Sequence, residues 1–116
     1  MDEYKRTLRT LTLGDDSYID ALLREEPANA SLAGTDLRAH ALIRIAALIA
    51  LDAAPPSYLS AVQAGLEAGL PCDDVVGTLI AVLSIVGVPR VVAAAPKLAL
   101  ALGYDVAEAL ERVERR

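Results

Sequence analysis

The run from Asp73 to Arg90, DDVVGTLIAVLSIVGVPR, limits what this chain can fold into more than any other stretch. Two acids open it. Val75, Val76, Leu79, Ile80, Val82, Leu83, Ile85 and Val86 then cover every side of a helical wheel, with Thr78 and Ser84 as the polar interruptions. A helix that is apolar all round needs burial all round. A chain of 116 residues is too small to wrap many elements around one central helix, so part of that burial is expected from another copy.

Composition points the same way. Hydrophobic residues make up 54% of the chain and the mean hydropathy is +0.39, against an apolar share of roughly 45–50%, glycine included, in ordinary soluble domains. With no Phe, no Trp and four Tyr, the core must be aliphatic and alanine-rich. Alanine has the best helix propensity and lets helices approach closely, so an all-α class follows. The length fits one domain, residues 1–116. A net charge of −5 and a pI near 4.7 disfavour nucleic acid, which demands a basic surface. The basic residues lie mostly at the ends (Lys5, Arg6, Arg9; Arg112, Arg115, Arg116), and these read as solvated surface.

One cysteine, Cys72, excludes an intramolecular disulfide, and with a single histidine no ordinary zinc site assembles within one protomer. No metal and no cofactor is expected. The opening MDEYKRTLRT is polar, so no signal peptide is expected. The longest apolar runs fall short of the ~20 residues that span a bilayer. The expectation is a cytoplasmic protein with neither a membrane nor a nucleic-acid partner.

Taken in order, residues 1–14 read as a short helix or an N-terminal arm ending at Gly14. Asp15 or Asp16 caps a helix through Glu26, with Tyr18, Ile19, Leu22 and Leu23 as its apolar stripe, and Pro27 stops it. The segment PANASLAG, 27–34, reads as a loop. Thr35 is a candidate N-cap for a helix to about Ala53. Leu37, Leu42, Ile45, Leu48 and Ile49 face inward there, and Arg38, His40 and Arg44 form the polar side. Pro55-Pro56 ends it and begins a helix over about 56–68, which stops at Gly69. The apolar run follows, then a corner at Gly87-Val88-Pro89. The next helix should kink or split at Pro96 and close at Gly103. Asp105 caps a last amphipathic helix with a charged tail. The sum is a compact antiparallel helical domain of about six helices.

Asp36, Leu42-Ile43, Leu66-Glu67-Ala68-Gly69, Asp73-Asp74 and Gly87-Val88-Pro89 follow one another in an order and spacing that resembles the carboxymuconolactone decarboxylase family, which includes the alkylhydroperoxidase D proteins. The resemblance covers residues 35–103. It implies an all-helical fold that assembles into dimers or a hexameric ring. Aligned on Leu66-Glu67-Ala68-Gly69, the cysteine pair of the peroxidase branch falls on Ala54 and Ser57, and the family histidine falls on Ala61. The Glu of the family's Arg-Glu-Leu-Ile motif is Ala41. A disulfide-cycling peroxidase of that branch needs two thiols per site, and this chain has one in total. Peroxidase activity is excluded.

The remaining candidates each carry a competing structural reading. Cys72 lies near a helix N-terminus, whose dipole favours a thiolate, but Asp73 and Asp74 oppose one; the alternative is a small, partly buried residue. His40 could act in acid–base chemistry near neutral pH or sit at a surface or interface. Ser57, Tyr58 and Ser60 occupy the stretch matching the family's reactive helix start and could hydrogen-bond a ligand, or Ser57 could cap its helix. Arg38, Arg44 and Arg90 could fork onto a carboxylate or form ion pairs between subunits. Three functions follow. One is a self-associating protein, with a degenerate active site, that binds a small apolar or carboxylate ligand or a partner. Another is a decarboxylase or lactone-type enzyme using non-standard residues. The third is an architectural subunit beside an active paralogue. The replaced reactive positions favour the first.

Overall fold

The structure, a computed structural model of the chain, describes residues 2–23 and 28–114. Eight helices and no strand occur among the described residues, so the all-helical expectation holds with more helices than the six foreseen. The chain divides into two units, Met1–Asp36 and Leu37–Arg116.

In the first unit, α1 (Glu3–Leu13) ends on Gly14, whose φ of 64° and N–H to the Leu11 carbonyl make it the expected left-handed stop. Asp15 caps α2 (Asp16–Leu22) by accepting the Tyr18 N–H at 2.9 Å and the Ser17 hydroxyl at 2.8 Å. Those two bonds, the Tyr18 amide foremost, hold its carboxyl below the usual carboxylate range. α2 is shorter than the predicted helix through Glu26; that end, and the stop at Pro27, lie outside the described residues, as do Arg115 and Arg116. The predicted loop is corrected: Ala28–Ala33 forms a helix, α3. Its three alanines favour helix, and the Asn29 side-chain amide donates back to the Leu22 carbonyl at 2.8 Å.

The second unit is built from α4 (Leu37–Leu51), α5 (Pro55–Glu67), α6 (Cys72–Val86), α7 (Val88–Ala101) and α8 (Val106–Glu114). α4 packs on α5 and α6, and α7 closes the other side by packing on the same two helices, with lesser contacts across the α4–α7 and α5–α6 diagonals. α8 lies against α7. The four-helix core is Ala41, Ile45, Ile49, Tyr58, Ala61, Val62, Leu70, Val75, Leu79, Ala94 and Leu98. Tyr58 is its sole aromatic, as the composition requires.

Three helix ends in this unit follow one device. At the end of α5, the Gly69 N–H reaches the Leu66 carbonyl at 3.0 Å and the Leu70 N–H reaches the Gly65 carbonyl at 3.0 Å. This is a Schellman motif with Gly69 left-handed at φ 91°. Leu70 folds its buried side chain onto Gly65, where an added Cβ would lie 3.0 Å from Leu70 Cδ1 and 3.3 Å from Ala41 Cβ. Gly103 ends α7 by the same pairing, with Tyr104 N–H on the Ala99 carbonyl at 2.9 Å. α4 also ends this way, through Asp52 N–H to Ile49 and Ala53 N–H to Leu48, but its left-handed residue is Asp52 at φ 53°. Asp105 caps α8 by accepting the Glu108 N–H at 3.0 Å, as predicted.

Three expectations change, and of the kink or split foreseen at Pro96 the split does not occur. The Thr35 hydroxyl has no hydrogen-bond partner, so the predicted Thr35 cap is not made, and α4 begins at Leu37. Leu37, expected inside, is 50% exposed, and His40, expected on the polar side, is buried at 4%. α7 runs unbroken through Pro96. Pro96 and Val92, one turn before it, are both exposed, so the carbonyl deprived of a proline N–H lies on the solvated side.

The chief departure concerns α6. Its Val75, Thr78 and Leu79 are buried in the bundle, whereas Val76 is 43%, Ile80 75%, Leu83 39% and Ile85 83% exposed. One copy of the chain therefore buries one face of a helix whose composition is apolar on every face.

Candidate functional site

The start of α5 lies against the end of α7, and together they form a groove of about 280 Å³ lined by Pro55, Pro56, Leu59, Lys97, Leu100 and Ala101. Each wall has a local cause. Pro55 and Pro56 occupy the first turn of α5, where a missing N–H costs nothing. Leu59 and Leu100 are 46% and 52% exposed and present their side chains to the opening.

Lys97 is the one charged wall. Its ammonium donates to Asp52 Oδ1 at 3.0 Å and to the Ala53 carbonyl at 3.0 Å, which uses two of its three protons. Asp52 Oδ2 also lies 3.5 Å from the Arg90 guanidinium. The Lys97 hydrogen bond and charge, with a smaller push from Arg90, hold the Asp52 carboxyl below the usual carboxylate range. Two cations around one carboxylate leave a surplus of one positive charge at the rim of an apolar groove.

The positions singled out in the sequence fall as follows. Ala54 is the N-cap residue of α5, and Ser57, exposed in its first turn, lends no side-chain cap there. Ala61 is buried at 6%. Ser60 is exposed on α5, and neither serine lines the groove. Tyr58 is fully buried and its hydroxyl donates to the Leu48 carbonyl at 3.1 Å. Burial, and secondarily the negative charge of Asp52, pushes its phenol above the ordinary value. Arg38 donates from Nε to the Ala68 carbonyl at 3.1 Å and lies over Gly69, where a Cβ would be 3.0 Å from its guanidinium. Arg44 is exposed on α4, and Cys72 is exposed as the first residue of α6. Arg90 is therefore the predicted residue that joins the cluster beside the groove.

Compared with protein-family models, curated proteins and solved structures, the chain matches none of them. Among the described residues, no group of three or more His, Cys, Asp and Glu side chains is placed to hold a metal ion, and no helix is long and apolar enough to cross a membrane.

Lys97 and Asp52 did not figure among the candidates, although a signal was present. Lys97 is the lone charge between Arg90 and Asp105, and Asp52 the lone charge between Arg44 and Glu67. Isolated charges of opposite sign in two apolar helical stretches tend to find each other, because a half-buried charge needs a partner.

Proposed function

We propose that this chain is a carboxymuconolactone decarboxylase-like, cytoplasmic, self-associating helical protein that binds a small amphipathic carboxylate and carries no peroxidase chemistry. The observation that carries the reading is the setting of the family's reactive positions. Ala54 and Ser57 sit at a helix start that forms one wall of an apolar groove, and the polar anchor there is a cation rather than a nucleophile. The aliphatic body of such a ligand lies along Pro55, Leu59 and Leu100, and its carboxylate takes the remaining Lys97 proton. A charge-assisted hydrogen bond at a partly desolvated rim is stronger than a neutral one.

A thermal-shift series with hexanoate, octanoate and decanoate beside the matching alcohols tests this. A ligand selective for the folded state raises the melting temperature. The carboxylates should raise it more than the alcohols, and Lys97→Gln should remove the difference. Equal or absent shifts for both series would overturn the ligand class. Turnover of a carboxymuconolactone by the wild-type protein would overturn the non-catalytic reading.

A further inference from the structure

The apolar face that α6 leaves uncovered has the geometry of a helix–helix seam. Val76, Ile80 and Leu83 are spaced four and then three residues apart, the a/d spacing at which one helix packs along another. Asp73 and Gly87 continue the same spacing at either end. Between Asp74 and Arg90 the chain has no charged residue, so along this face a partner meets only aliphatic and small side chains. Resting on the reading of the chain as self-associating, we propose that α6 packs antiparallel against α6 of a second copy, with the two-fold axis at Ile80.

The register follows from the seam. With Ile80 facing its own equivalent, Val76 of each copy falls one residue, about 1.5 Å along the axis, from Leu83 of the other, so a medium side chain packs beside a large one in both directions. Asp73 falls opposite Gly87. That pairing supplies charge complementarity, which fixes the direction of the helices. Gly87 is the N-cap of α7 and has no side chain with which to cap it. The amides of Val88 and Arg90 open that helix, and the positive end of its dipole lies there. The exposed Asp73 carboxylate of the other copy fills that need, with the Arg90 guanidinium nearby. A parallel pair would instead set Asp73 beside its own equivalent and align both helix dipoles, which is repulsive. An isologous contact of this kind uses the same strip twice and closes on itself.

Cysteine crosslinking and mass in solution test the contact. Helices packed 8–10 Å apart bring facing Cα atoms to within about 5 Å, inside disulfide range. In a Cys72→Ser background, Ile80→Cys should therefore crosslink to its own equivalent on mild oxidation. Cys72 of the unmodified chain should not, because it lies roughly 24 Å from its equivalent in this register. Adding Val88→Cys to the unmodified chain should create a crosslink between the introduced sulfur and Cys72 of the other copy. Ile80→Glu places two carboxylates at the axis and should raise the dissociation constant at least ~100-fold; Ile80 is 75% exposed, so the variant should keep the wild-type circular dichroism. A protein that is a monomer at every concentration would overturn self-association and this contact together. An oligomer whose mass is unchanged by Ile80→Glu and whose Ile80→Cys variant does not crosslink would overturn this contact alone.

Discussion

Tyr58 offers the sharpest test of how the bundle is held together. Its ring is the sole aromatic in the core, its relative exposure is 0%, and its hydroxyl closes on the Leu48 carbonyl at 3.1 Å. Tyr58→Phe keeps the ring and removes that bond. The Leu48 carbonyl still accepts the Ala53 N–H at 3.1 Å, so no buried acceptor is orphaned, and the cost is that of one net hydrogen bond, about 0.5–1.5 kcal/mol. Tyr58→Ala empties the centre of an aliphatic core and should cost about 3–5 kcal/mol, a large part of the ~5–15 kcal/mol that a domain has in hand. Urea titration followed by circular dichroism measures both. The phenol adds a pH signature. Its folded-state value is raised above 10.0, so the stability it contributes is complete below pH 10 and declines as pH rises from there through the raised value. Wild type should therefore lose stability relative to Tyr58→Phe in that alkaline window. Equal costs for the Phe and Ala variants, or a Phe variant more stable than wild type at neutral pH, would refute this account of the core.

Three further outcomes follow from the helix ends. Asp52→Asn tolerates the left-handed backbone but removes the charge that Lys97 holds. Because the Asp52 carboxyl is lowered, the stability advantage of wild type over this variant should be present above pH 3.8 and vanish as pH falls through the lowered folded-state value, read from acid unfolding curves. Gly69→Ala forces a side chain into φ 91° and against the Arg38 guanidinium; it should cost about 1–2 kcal/mol by urea titration. Asp105→Ala removes the cap on α8 and should cost about 1 kcal/mol, visible as lost helix signal and faster amide exchange at Glu108.

Much of the fold was legible because its punctuation is local. Gly14, Gly69 and Gly103 each take a positive φ that a helix stop requires, and Pro55 and Pro89 each open a helix. What escaped the sequence depends on distant partners. Asp52 holds a glycine-like conformation beside a lysine 45 residues later in the chain. A helical wheel places His40 away from Ile45, yet His40 is buried. PANASLAG reads as a loop from its small polar residues, while its alanines support a helix. The candidate site was half visible: Arg90 was singled out, but the groove exists only where α5 and α7 meet. Tyr58 carried the right residue type for ligand binding, and its hydroxyl went to the core instead.

The exposed strip on α6 is where composition and structure join: beyond its acidic first turn the helix carries no charge and is apolar on two faces, of which one chain covers one. The most direct measurement is the mass of the unmodified protein by sedimentation equilibrium across a wide concentration range. At least twice the 12.2 kDa chain mass is expected, falling toward one chain on dilution. A mass of 12.2 kDa at every concentration would mean that water covers the second face, contradicting the account.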